Sequence, residues 1–417
     1  MRLLFVLIFV ARCAWAGGSV FGPQPMGDPM VRGGVRAVGL GGAGLAMWDS
    51  LGMHTDNAAA MSGITGAVLR AGIFSGLYSV DDGELTDTDS EFGWQAFRLM
   101  LNVHRRYKMS IGIDPVSHTD FRTFGQDSLA FNSDSGTVYE NFESRKVWLG
   151  SATDIRWDHA VTLSKKLSLG ATIAFASSYL EANHALDFPT TGSSGGARDV
   201  LYHDVQRFRG FWGGLSFLAK PTPRLTVGGF WQSEADGTWN LERAVNHGGR
   251  NTFAEPSGKR PGAFGVGVGY AWHRTWAAYL DTRMQQWQSE HYGPMFAPAN
   301  VDDRNATSVM FGVEKMGGTR NTDEGFDRWD FRAGAAYRLQ PWLTRDASGA
   351  VGDVNETALS LGVSIPLTQQ AGKLHAALEL GQRVASDADV TETFTRFYLQ
   401  LDMHERWFKR ERRTLRD

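Results

Sequence analysis

The sequence predicts an all-β fold: a transmembrane antiparallel β-barrel of about fourteen strands with an N-terminal hatch or plug segment. Three observations carry that prediction. Large apolar residues recur at every second position over runs longer than ordinary strands. The connections between these runs alternate between short and long. The chain opens with an export signal, and nothing after it is long and apolar enough for a membrane helix.

Alternation is the strongest of the three. In Ala358–Ile365 the odd positions Leu359, Leu361, Val363 and Ile365 are apolar, and the even positions are Ala, Ser, Gly and Ser. Phe264, Val266, Val268 and Tyr270 alternate with alanine and glycines. Trp329–Leu339, Leu374–Gly381 and Arg396–Met403 repeat the pattern with charges on the second phase. A β-sandwich would turn the apolar phase inward. Runs of nine or more residues instead fit tilted strands that cross a bilayer.

The chain divides as follows. Residues 1–16 read as a secretory signal peptide: Met1-Arg2, an apolar run Leu3–Val10, and an Ala14-Trp15-Ala16 cleavage site. The lone cysteine, Cys13, falls inside it, so the exported chain is expected to hold without disulfides. Residues 17–65 do not alternate and form the predicted hatch. Residues 66–408 form the predicted barrel, and 409–417 a basic periplasmic tail. A net charge of -3 excludes a strongly basic nucleic-acid binder, and 42% hydrophobic residues exclude a disordered chain. With 49 glycines, 12% aromatics and only 13 prolines, the composition suits strands and turns.

Short connections fall at Arg105-Arg106, Lys165-Lys166, Pro221–Pro223 and His273-Arg274. Long ones are expected near 80–91, 118–141, 183–204, 236–260 and 288–305. Short periplasmic turns and long outer loops are the outer-membrane pattern, which places the chain in a Gram-negative-type outer membrane. Trp94, Trp148, Trp157, Trp212, Trp231, Trp272, Trp276, Trp287, Trp329 and Trp407 sit near strand ends, as interfacial girdles do.

Gly39–Gly44 match G-x-G-x-x-G, but no βαβ unit surrounds them, so a glycine-rich plug is the better reading. The segment Gly39-Leu40-Gly41-Gly42-Ala43-Gly44-Leu45-Ala46, followed by Asp49 and Asn57-Ala58-Ala59, resembles the start of the FadL-type outer-membrane family. That family includes transporters of fatty acids and hydrocarbons and PorV-like members. Ala43, Ala46 and Asn57 keep its spacing, and Ala58 stands where the family has proline. Glu405–Arg410 also resembles the family's closing segment. The resemblance implies a plugged fourteen-stranded barrel, with Gly41, Gly42, Ala43 and Asn57 in the hatch.

No catalytic triad, zinc-protease or Walker motif is present, and neither an enzyme, a metal nor a cofactor is expected. Charges on the inward phase are the candidate site. Arg98, Asp281, Arg283, Glu314, Arg332, Arg338, Glu379, Arg396 and Asp402 are expected to pair with one another and with the hatch. The expected function is FadL-like uptake of hydrophobic small molecules. The alternatives are a PorV-like scaffold for secreted surface proteins and a general porin. Outer-membrane lipid is the expected partner, with a hydrophobic ligand or a secreted protein beside it.

Overall fold

The computed structural model describes residues 18–22, 27–48, 52–81, 86–133, 136–188, 199–246, 251–287, 305–318, 325–345, 351–367, 372–386 and 390–405. The signal peptide, the basic tail, Trp407 and most of the 288–305 connection lie outside the described residues. No described helix is long and apolar enough to cross a membrane.

A two-residue strand, β1 (Asp28–Pro29), precedes the wall. The wall begins with β2 (Ala67–Asp81), β3 (Thr86–His104), β4 (Tyr107–Ser133), β5 (Gly136–Ser164), β6 (Leu167–Asp187) and β7 (Val200–Ala219). Two broken staves follow: β8 (Leu225–Gln232) with β9 (Ala235–Val245), and β10 (Asn251–Arg260) with β11 (Ala263–Tyr270). The second break falls at Pro261, which has no N–H for a ladder. The wall ends with β12 (Trp276–Gln285), β13 (Ala306–Lys315), β14 (Asp330–Arg345), β15 (Val351–Pro366), β16 (Gly372–Ala385) and β17 (Thr391–Glu405). β17 pairs back onto β2, from Thr391 opposite Asp81 to Glu405 opposite Ala67. Among the described residues the ring therefore closes with fourteen antiparallel staves.

The two faces carry opposite chemistry. Along β11, Phe264, Val266, Val268 and Tyr270 point out and are exposed, while Ala263 and the glycines between them point in. Ile111, Ile155, Ile173, Leu215, Leu280, Phe311, Leu359, Leu361 and Phe397 are likewise exposed on the other staves. Arg98, Asp158, Glu314, Glu379 and Arg383 are buried inside. Greasy outside and charged inside is the polarity of a barrel whose solvent is lipid.

Two expectations change. The long connections near 80–91, 118–141 and 236–260 are largely strand: β4 and β5 run 27 and 29 residues. A strand beyond the bilayer meets water on its outer face, so His118–Ser133 shows no apolar alternation and reads as loop. Trp212 and Trp287 also leave the girdle. Both are buried, and Trp212 packs with Phe208 and Trp239 inside the wall.

β3 and β4 pair only from Phe97–Ile113 down to His104–Tyr107. Above that point β3 follows β2 and β4 follows β5. Local sequence explains the parting. Gln95 is an extra residue in β3, so that Ala96 and Gln95 both face inward. On β4, Pro115 lacks a donor and Val116 is skipped in the register with β5.

The N-terminal segment packs against inward-facing residues of the wall. It contains a helical turn at Val35–Val38 and a 3-10 helix over Ala58–Gly63. Its backbone runs against wall glycines. A Cβ at Gly312 would lie 2.6 Å from Leu40 Cβ, and one at Gly334 would overlap the Leu40–Gly41 peptide. Gly41 and Gly42 hold φ of 72° and 95°, the left-handed region that glycine enters freely.

Candidate functional site

The site is the interface between the N-terminal segment and the barrel wall. Asp281 on β12 accepts hydrogen bonds from the backbone N–H of Gly44 (2.6 Å) and Leu45 (2.8 Å) through one carboxylate oxygen. Ser360 accepts from Gly41 N–H at 2.8 Å, and Gln400 from Val35 N–H at 3.0 Å. Asn57 caps the 3-10 helix by accepting from Ala59 N–H. Its amide nitrogen donates to Leu45 O (2.6 Å) and to Phe217 O on β7 (3.1 Å). One asparagine thus fixes the turn, the segment and the wall together, where the resembling family adds a proline.

Charged ties are more numerous. Asp56 lies among three arginines: Arg32 at 2.6 Å, Arg283 at 3.1 Å and Arg156 at 3.8 Å. Burial pushes its carboxyl up, but Arg283 and Arg32 outweigh that and hold it well below the ordinary range. Glu314 takes Arg36 of the segment at 2.7 Å and Arg332 of the wall at 2.6 Å. Asp28 takes Arg383 at 2.6 Å and Arg396 at 2.9 Å. Isolated buried ions would cost several kcal/mol each, so the pairing is what makes this interior tolerable.

The inward charges therefore divide by reach. Asp281, Arg283, Glu314 and Arg396 touch the segment directly; Arg338 donates to Gly41 O at 3.4 Å. Arg332 acts through Glu314. Glu379 pairs with Arg338 (2.9 Å) and Arg396 (3.5 Å) and meets no segment atom in these pairs. Arg98 pairs with Asp114 and Asp158, one step behind Arg156. Asp402 binds Arg70 at 3.0 Å, and Arg70 donates to Met53 O. Gly41 lies on Gly334 as described, Gly42 approaches Met310, and Ala43 is buried in a cluster with Leu40, Ala277 and Met310. Sequence reasoning missed Asp28, Asp56, Arg156, Arg260 and Arg383. Asp154, Arg156 and Asp158 share the inward phase opposite Ile155 and Trp157, so the same alternation contains the signal for Arg156.

A cavity of about 110 Å³ lies between segment and wall. Val31, Leu45, Phe230 and Met310 supply apolar lining, and Arg32, Asp281 and Arg283 supply polar lining. One Arg32 nitrogen and the second Asp281 oxygen are buried there without a hydrogen bond. Higher up, the parted β3–β4 wall is lined from inside by the segment. β1 pairs with His118 and Ser117, Met30 N–H donates to Val116 O at 3.0 Å, and His118 bridges to Glu91 on β3 at 2.5 Å.

Solved structures share this architecture. A Pseudomonas aeruginosa FadL homologue superposes with a TM-score of 0.60 at 13% identity, covering 90% of this chain and 99% of its own. The chain has the FadL-type barrel fold. The monoaromatic hydrocarbon channel CymD matches at 0.56 and 15% identity, over 91% of this chain and 99% of its own. The Ralstonia pickettii toluene transporter TbuX matches at 0.56 and 16% identity, over 89% and 98%. The BamG family profile matches residues 238–413. No curated protein matches the chain in sequence.

In this FadL-type barrel the segment's docking is expected to depend on pH through His54. Its Nδ1 accepts from Asp56 N–H, and its Nε2 faces Gly42 O at 3.4 Å, which suits the neutral ring. Burial lowers its pKa to about 4, with Arg283 and Arg32 adding to the effect and Asp56 opposing it. The docked state therefore binds fewer protons than the free one. Docking is fully favoured above about pH 6.5 and weakens as pH falls toward 4, by about 3 kcal/mol in all. Bilayer conductance should rise over that window, and His54→Asn, which keeps an acceptor without titrating, should flatten the profile.

Proposed function

We propose that this chain is an outer-membrane channel for uptake of hydrophobic small molecules. In this reading residues 1–16 are a signal peptide, 17–65 a hatch, 66–408 the barrel and 409–417 a periplasmic tail. The hatch closes the lumen, and the inward charges hold it there. The observation that carries the reading is the parting of β3 from β4 beyond Phe97 and Ile113. It gives an apolar molecule a way sideways into lipid, while water and ions meet a lumen filled with paired charge. Similar folds described as a toluene transporter and a monoaromatic hydrocarbon channel support it.

Gln95 provides the test. It is the extra residue of the β3 bulge, so deleting it leaves every neighbour on its present face and removes the cause of the parting. Uptake of labelled toluene by cells bearing the deletion should fall at least ten-fold, with surface level unchanged. Uptake equal to wild type would remove the lateral route.

A PorV-like scaffold is favoured by one observation. At about 3.3 Å per residue β4 and β5 extend roughly 90 Å, far beyond the ~10 residues that cross a bilayer. Such a reading predicts co-purified secreted proteins and no hydrocarbon uptake.

A further inference from the structure

Four consecutive hairpins at the end of the barrel where β2 begins and β17 finishes share one chemistry. They join β3 to β4, β5 to β6, β7 to β8 and β11 to β12. Their connections contain Arg105, Arg106, Lys165, Lys166, Lys220, Arg224 and Arg274, and no Asp or Glu. All but Lys220 are exposed. A wall that pairs nearly every interior charge leaves this arc of cations facing outward.

The height of the arc is set by the residues beside it. Val103 and Ile111, exposed on the outer face, flank Arg105-Arg106. Leu163 and Leu169 flank Lys165-Lys166 in the same way. Tyr270, Trp272 and Trp276 flank His273-Arg274, and the two indoles stack at 6.1 Å. At about 3.3 Å per residue, the cations lie roughly 7 Å beyond the last lipid-facing side chain. Exposed tryptophans mark the interface between acyl chains and headgroups. The Lys and Arg side chains therefore reach the phosphate layer.

We propose that this arc binds anionic phospholipid headgroups in the leaflet at that end of the barrel. Charge complementarity and position both select that partner. Each cation near an anionic surface is worth about five-fold in affinity, so an arc of six exposed cations selects strongly over a zwitterionic lipid, while Lys220 lies over the Trp48 ring of the segment. Long flexible side chains on connections of two to five residues suit a fluid partner, because no fixed geometry is required. The inference rests on the membrane reading above. Insertion of the folded protein into phosphatidylcholine vesicles tests that reading separately.

The experiment uses the full chain in detergent with equal phosphatidylglycerol and phosphatidylcholine, and counts retained lipids by native mass spectrometry. Wild type should retain phosphatidylglycerol over phosphatidylcholine by at least five-fold, and 0.5 M salt should erase the preference (about a 4 Å screening length). R105E/R106E/K165E/K166E should lose it, and R105K/R106K should keep it. R122E/K146E, with the same type of charge change in the middle of β4 and β5 and away from the arc, should also keep it. Heat-modifiable migration on gels verifies that each variant is a folded barrel. The proposal fails if the folded quadruple variant keeps the wild-type preference, or if wild type shows none. Retention of an acidic protein through these four residues, without lipid selectivity, also overturns it.

Discussion

Gly334→Leu should turn a silent barrel into a conducting one. Gly334 lies on β14 between Arg332 and Ala336, on the inward phase. A side chain there would enter the space of the Leu40 carbonyl and the Gly41 N–H. Those are backbone atoms, held by the Gly41–Ser360 bond, so no side-chain rotation relieves the overlap. Gly41 itself has φ of 72° against Ala335, which removes the alternative of reshaping the segment. The outer face of β14 is untouched, so the wall still closes. Wild type in a planar bilayer should show no steady current. Gly334→Leu should show long-lived openings, as should deletion of residues 17–65. A silent, folded Gly334→Leu protein would mean that the segment does not close the lumen.

Asp56→Asn should release the segment by another route. Asp56 is the shared anion of Arg32, Arg283 and Arg156, all poorly exposed. An amide of the same size takes the shared counter-charge from Arg32 and Arg283 and leaves Arg156 to Asp158 and Asp114 alone. Breaking such a site typically costs about 3–5 kcal/mol. The undocked population should then rise on the order of 10²–10³-fold. Tryptic cleavage after Arg32 or Arg36 reads that population directly and should accelerate correspondingly, with the barrel still heat-modifiable. Cleavage at the wild-type rate would show that the cluster contributes nothing to docking.

The two variants act on different chemistry, and the sequence announced the two unequally. Gly39–Gly44 was legible as a tight segment because only glycine allows such close approach. Its mates Gly312 and Gly334 were not, since a glycine inside an alternating strand looks like any small inward residue. The strand phase was legible wherever one face meets lipid, as in Phe264–Tyr270 and Leu359–Ile365. It vanished in the upper parts of β4 and β5, where both faces meet polar surroundings. Inward charges on short, clean strands, such as Glu314 and Arg332, could be placed by counting. Asp28 and Asp56 could not, because the segment that holds them has no period, and all their arginine partners but Arg32 lie a hundred or more residues away.

That last separation bears on the order of assembly. Ser19 meets Glu392 across 373 positions, Asp28 meets Arg396 across 368, and Val35 meets Gln400 across 365. These residues of the segment therefore have their partners on the last staves to be made. Contacts of such range are paid for late, after the intervening chain has been ordered. The segment can complete its docking only once those staves are made and the ring closes. Seating can thus serve as the final step of maturation, joining the two ends of the chain and signalling by its completion that every stave is in place.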